Sequence, residues 1–206
     1  MSHFTPDIAK RADDLVLLYP VKRSAMLPML HLAQEQDGYL SDEGIAEVAT
    51  RLVLSEADVR GTAAFYEMFH LEPVGKYVVG ICTNVACLLA GGEELLEHAE
   101  KKLGCAVGRT SPDGLFTLEE TECLADCNIA PVVQVNHRFV RTTTPEAFDA
   151  MIDEVRAGKR ETEIPPHGTL IRVRRSVGLN APREEVVAQR ATALKAREAR
   201  VAQEQK

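Results

Sequence analysis

The sequence predicts an α+β protein in three segments: a helical bundle over residues 1–72, a domain of strands and helices over 73–160, and a basic tail, partly helical or unstructured, over 161–206. Three observations carry this division. Up to Glu72 the apolar residues recur at helical spacing behind capping residues. From Pro73 onward, short apolar runs of strand length alternate with helical stretches. The charge also divides, since residues 169–206 hold nine Lys/Arg and four Asp/Glu, net +5, which leaves −12 on the rest of a chain whose total is −7.

In the first segment, PDIAKRADDLVLLYP and SAMLPMLHLAQEQDG predict two helices, the second stopped by Gly38 in a left-handed cap. Ser41 caps a third, with Asp42 and Glu43 in its first turn, where negative charge is favoured, and Ile45, Val48, Ala49 and Leu52 along one face. Ser55 and Asp58 form a capping-box pattern for a fourth, with Val59, Thr62, Ala63 and Tyr66 at helical spacing. The aromatic group Phe65, Tyr66 and Phe69 reads as core filling rather than as a binding surface.

The second segment opens with KYVVGIC, a nearly continuous apolar strand of the kind buried on both faces, ending on Cys82. A helix is expected after Cys87, with Leu89, Leu96, Ala99 and Leu103 on one side and Lys101, Lys102 and Gly104 at its end. LFTLEET and VVQV are the next strands, and NHR turns the chain into FVR. Thr144 caps a last helix with Pro145 in its first position, Phe148, Met151, Ile152 and Val155 inward, and Gly158 beyond its end. Strand, helix, strand, hairpin, helix is the order of a thioredoxin-like core. In the tail, Val187, Leu194 and Val201 recur every seven residues, but Glu198 interrupts the stripe, so a lone solvated helix is expected rather than a coiled coil.

Composition narrows the function. No apolar run is long enough to span a bilayer, and the start MSHFTPDIAKRADD lacks the pattern of a secretory signal, so a cytoplasmic protein is expected. The acidic body argues against nucleic acid as the main partner. In a reducing compartment, paired cysteines are metal ligands or redox thiols more often than disulfides.

Four of the five cysteines come as two pairs, Cys82 with Cys87 in CTNVAC and Cys123 with Cys127 in CLADC. A disulfide-exchange enzyme would carry two residues between its cysteines, and neither pair does. A Rieske centre needs nearby histidines, and none of the six lies in either motif. A plant-type ferredoxin has its third cysteine two residues after the second, whereas 35 residues separate Cys87 from Cys123. Zinc stays open, although its loops are usually tighter. A 2Fe-2S cluster fits better, because each iron takes two thiolates and the two irons sit apart. Such a cluster sums to roughly −2 oxidised and −3 reduced, so the amides of residues 88–91, at a predicted helix start, are expected to face it. Gly91 and Gly92 would keep that turn uncrowded, and no Gly-Lys-Ser/Thr follows to make a phosphate loop. Cys105 lies outside both loops and reads as a buried, inert thiol.

These motifs, with TSPDGLFTLEETECLADCNIAPVVQVN around the second pair and YPVKRSAMLPMLHLAQEQDGYLS and AAFYEMF in the helical half, resemble the small 2Fe-2S subunit (the 24-kDa, or E, type) of respiratory NADH:quinone oxidoreductase, complex I. The likeness covers roughly residues 8–160, about three quarters of the chain. It implies a thioredoxin-like ferredoxin domain holding one 2Fe-2S cluster on Cys82, Cys87, Cys123 and Cys127. It further implies docking against the flavoprotein subunit that carries FMN and oxidises NADH, contact with the large iron-sulfur subunit, and attachment to the inner face of the cell membrane only through the complex. No hydride chemistry is implied for this chain, which lacks a G-x-G-x-x-G after a strand. The same module also serves NAD-linked hydrogenases and formate dehydrogenases. A zinc-binding adaptor and a free ferredoxin or sensor are the readings from other classes, the last disfavoured by the helical half.

The chain departs from that family in the second loop, where Ala125 and Asp126 stand in place of a common Gly-Ala. Ala125 fits easily unless its φ is positive, and Asp126 is expected to lower the reduction potential by adding charge beside an anionic group. The basic tail is not part of the likeness.

Overall fold

The computed structural model describes residues 2–165 apart from Thr143. The stripe of Val187, Leu194 and Val201 lies outside them. The chain divides into two compact units at Glu72 and Pro73.

The first unit is built from four capped helices. Helix α1 (Pro6–Val16) starts at Thr5, whose hydroxyl accepts the Ile8 amide, and α2 (Met26–Asp37) stops at Gly38, where φ is +79°. Helix α3 (Asp42–Leu52) is capped by Ser41 and α4 (Glu56–Phe65) by Ser55, as the sequence predicts. In the second cap the Ser55 hydroxyl accepts from the Asp58 amide at 3.1 Å and donates to its carboxylate at 2.6 Å. Met29, Leu30, Ile45, Val48, Val59 and Ala63 fill the core.

Two expectations fail here. The first helix ends at Val16 rather than running to Pro20, and a short 3-10 turn at Lys22–Ala25 leads into α2. Phe65 is 80% exposed, whereas Phe69 is buried and Tyr66 half-buried. The inward face of α4 runs through Val59, Thr62, Ala63 and Tyr66, so Phe65 falls off it by helical geometry.

The second unit is a sheet with two helices packed on one face. Its strands are β1 (Tyr77–Cys82), β2 (Arg109–Thr110), β3 (Phe116–Thr121), β4 (Val133–Val135) and β5 (Arg138–Val140), in the order β2-β3-β1-β4-β5. Strands β1 and β3 are parallel and every other pairing is antiparallel. Tyr77, Val79 and Ile81 share a core with Phe116, Leu118, Val133 and Val135. Onto it pack Leu95, Ala99 and Leu103 of α6 (Gly92–Leu103) and Phe148, Met151, Ile152 and Val155 of α7 (Pro145–Arg156). Ile164 joins this core although it lies past residue 160. The predicted turn between β4 and β5 places both Asn136 and His137 at positive φ, 47° and 60°, as a tight hairpin turn requires. The Asn136 side chain accepts the Val78 amide at 2.7 Å and donates to the carbonyls of Lys76 and Pro165. The Ala130–Pro131 peptide is cis.

The helix expected after Cys87 is two helices. A short α5 (Val85–Leu89) closes at Ala90, the chain turns through Gly91 at φ +90°, and α6 begins at Gly92. Leu89 therefore leaves the apolar face and is 84% exposed, while Leu95 takes the inward position.

Candidate metal centre

The parallel pairing of β1 with β3 sets the site. Cys82, the last residue of β1, stands beside Thr121, the last residue of β3, and Cys123 follows two residues later. The leading cysteine of each pair thus leaves the same end of two adjacent strands. Cys87 comes back on α5, its amide donating to the Asn84 carbonyl at 2.7 Å, and Cys127 opens a short 3-10 turn, Cys127–Ile129.

The two pairs occupy unlike surroundings. Cys82 and Cys87 are each 1% exposed and pack with Val132, beside the partly buried Leu124, Ile129 and Ala130. Cys123 and Cys127 face outward. All five thiols are free. Burial pushes the Cys87 thiol up, the neighbouring Cys82 and Cys127 add to that, and the Val132 amide pulls the other way. Cys127 is also raised, first by its hydrogen bond with Cys123 and then by the charge of Cys123, with a smaller contribution from Cys82. These influences link all four predicted thiols in one electrostatic neighbourhood. Among the described residues, no three or more His, Cys, Asp and Glu side chains gather tightly enough to hold a single metal ion.

Two hydrogen bonds tie the cysteine loops together. Thr83 Oγ1 donates to Glu120 at 2.5 Å, and Asn84 Nδ2 donates to Glu122 at 3.0 Å, so the first loop is held to the stretch that leads into Cys123. Both carboxylates are exposed although Glu120 follows buried Leu118 on the same strand face, and the bonds follow only from the strand pairing. Gly92 is needed for a different reason. A Cβ there would lie 2.8 Å from the Cys82 carbonyl oxygen and 2.9 Å from that of Cys87, both backbone atoms that cannot move aside.

Three predicted details change. Three of the amides expected to face the metal group are engaged: those of Leu88, Ala90 and Gly91 donate to the carbonyls of Asn84, Cys87 and Leu88. They are used because α5 is a single closed turn. Ala125 has φ +62°, the left-handed region that an alanine enters only with strain. Cys105 is half-buried rather than buried, packed against the second core, with its thiol raised by burial. Turned end for end, the Asn128 side-chain amide donates to the Asp126 carboxylate.

The donor set of two thiol pairs, one walled by apolar side chains and one open, fits a binuclear cluster in which each iron takes two thiolates.

Comparison with known proteins adds the following. The family model for thioredoxin-like [2Fe-2S] ferredoxins matches residues 12–156. The E subunit of the NADH-quinone oxidoreductase of Mycobacterium bovis is 39% identical over 158 residues, 75% of this chain and 63% of that protein. The chain therefore spans somewhat less than two thirds of that relative. The second E-type subunit of the Rhizobium meliloti NADH-quinone oxidoreductase is 41% identical over 146 residues, 71% of this chain and 87% of its own. Subunit 2 of the Thermus thermophilus NADH-quinone oxidoreductase is 38% identical over 144 residues, 69% of this chain and 80% of its own. Among solved structures, the NAD+-reducing [NiFe]-hydrogenase in its H2-reduced state is alike in fold, with a TM-score of 0.56 at 24% identity over 66% of this chain and 23% of that one.

Proposed function

Because this chain belongs to the thioredoxin-like [2Fe-2S] ferredoxin family, we propose that Cys82, Cys87, Cys123 and Cys127 hold one 2Fe-2S cluster and that the chain is the electron-transfer subunit of an NADH:quinone oxidoreductase, complex I. The observation that carries this is the pairing of β1 with β3, which brings two thiol pairs to one end of the sheet. When bound, the cluster takes up and returns one electron at a time.

The chain's own residues hold that group and limit its access to water. Val132 and Leu124 wall the inner pair, and the Val132 backbone favours the Cys87 thiolate against the effect of burial. Thr83 and Asn84, through Glu120 and Glu122, fix the distance between the loops. No dinucleotide fingerprint follows a strand, so NADH and FMN are assigned to the partner subunit, and the active site is complete only in the assembly.

Val85 (69% exposed), Leu88 (42%) and Leu89 (84%) form an apolar step on α5 directly beside Cys87. Solvent-facing leucines on a five-residue helix next to the site are the surface we assign to the flavin-bearing subunit, with the large iron-sulfur subunit as a further neighbour. No described helix is long and apolar enough to cross a membrane. We infer attachment to the inner face of the cell membrane through the complex alone. The curated relatives named for NADH-quinone oxidoreductase, at 38–41% identity, favour this host over a hydrogenase or formate dehydrogenase.

The test is iron, acid-labile sulfide and zinc content, with EPR before and after dithionite, on anaerobically purified protein. About two irons and two sulfides per chain, with a signal only on reduction, are expected. Zinc without sulfide, persisting after reconstitution, would sink the reading. Serine at any of the four cysteines should lower iron content, and Cys105→Ser should not. Copurification of the chain with its native partners identifies the host complex.

A further inference from the structure

We propose that Thr121 is a positioning residue whose hydroxyl donates a hydrogen bond to cluster or cysteine sulfur at the Cys82 end of the site, raising the reduction potential. This rests on the reading of the site as a 2Fe-2S centre.

Thr121 Oγ1 is buried and has no hydrogen-bond partner. Buried hydroxyls are satisfied with few exceptions, and an exception at a functional site points to a group that completes it. Its place in the fold narrows what that group is. Residues aligned across a parallel pair project to the same face of the sheet, and Thr121 is aligned with Cys82. Cys123 is two residues further on.

The side chain is also held. The Thr121 methyl lies so close over Gly80 that a Cβ built there would meet it at 2.8 Å. A β-branched side chain has few χ1 choices, and with the methyl lodged over Gly80 the hydroxyl occupies the other branch. Thiolate and sulfide sulfurs are anionic acceptors, and a hydroxyl donor stabilises the form with more negative charge. Donors of this kind are one means by which a protein sets a cluster's potential. Glu120, Glu122 and Asp126 carry negative charge around the same loops, so the Thr121 donor works against the acidic side chains.

Thr121→Val keeps the shape and removes only the donor; Thr121→Ser keeps the donor and loses the methyl. Both are made in the full chain, assayed for iron and sulfide, and titrated by EPR. The expected result is normal iron and sulfide in both, a lowered midpoint potential in the valine variant, and a potential near wild type in the serine variant. A tenfold bias against reduction corresponds to about 59 mV for one electron. Loss of the cluster in the valine variant alone also supports the donor, through assembly. An unchanged potential in the valine variant, equal shifts in both variants, or loss of the cluster in both overturns it in favour of packing. Wild-type protein without iron and sulfide would overturn the functional reading itself, and this inference with it.

Discussion

At the residue scale, the second cysteine loop shows how one substitution changes the local physics. Ala125 sits at φ +62° between Cys123 and Cys127, where an L-residue pays about 1–2 kcal/mol. Glycine would remove that strain at the expense of a more flexible unfolded chain. Ala125→Gly should therefore stabilise the domain by roughly 0.5–1 kcal/mol, read as a higher thermal midpoint with unchanged iron content. A lower midpoint would mean that the alanine packs in a way that offsets its backbone strain. Asp126 acts through charge instead. Its carboxylate lies one residue before Cys127, and Asp126→Ala should raise the potential, on the order of 1 kcal/mol of one-electron driving force. A titration with no shift would mean that solvent screens the carboxylate fully. The two cysteine pairs proposed as ligands were legible because spacing and residue type both restrict them. The strain at Ala125 was conditional, since residue type alone does not reveal φ. Thr121 was not legible at all, because its isolation depends on which strand lies beside it.

At the element scale, caps and turns were the best signals and helix continuity the poorest. Ser41, Ser55 and Thr144 each accept the amide that capping chemistry assigns them. The break between α5 and α6 was hidden because Leu89 and Leu96 are seven apart, a spacing that an unbroken helix satisfies equally well. What forces the break is tertiary: the first turn of α6 lies against the Cys82 and Cys87 carbonyls with room for no side chain at Gly92. Gly92→Ala should cost about 1–3 kcal/mol by overpacking and lower cluster content, checked by unfolding and iron assay together. Wild-type values for both would show that the α6 start shifts freely.

In the helical unit, Asp37 ends α2 and links it to α3 and to the N-terminal residues. Burial raises its pKa, but hydrogen bonds from Ser41, His3 and Gln36 outweigh that and leave it below the ordinary 3.8. A depressed carboxylate contributes stability that is complete above its unfolded value and is lost as pH falls through the lower folded value. Acid should therefore weaken this unit from about pH 4 downward, and Asp37→Asn should flatten that part of the curve. An Asn variant with the wild-type acid slope would move the effect to Glu47, which Ser2, His3 and Arg51 likewise hold low against burial.

At the scale of the whole molecule, strand and helix order was readable because each segment's period agrees with its final state, whereas exposure was less so. Phe65 and Leu89 look like core residues by type and stand in solvent. Leu89, with Val85 and Leu88, lies on the short helix that carries the buried Cys87, and this gives the proposed association with a flavin-bearing subunit its own specific test. Burying one leucine contributes about 1.5–3 kcal/mol, or roughly tenfold to a hundredfold in affinity. Leu89→Asp should weaken binding to that subunit by at least this factor, because the carboxylate must also be desolvated. Since Leu89 points away from both cores, iron content, EPR signal and thermal midpoint of the isolated chain should stay at wild-type values. Titration of wild type and variant against the purified flavoprotein separates the outcomes. Affinities within twofold of each other would move the interface off α5, and a variant that loses iron as well would show that the step belongs to the site's own packing rather than to a docking face.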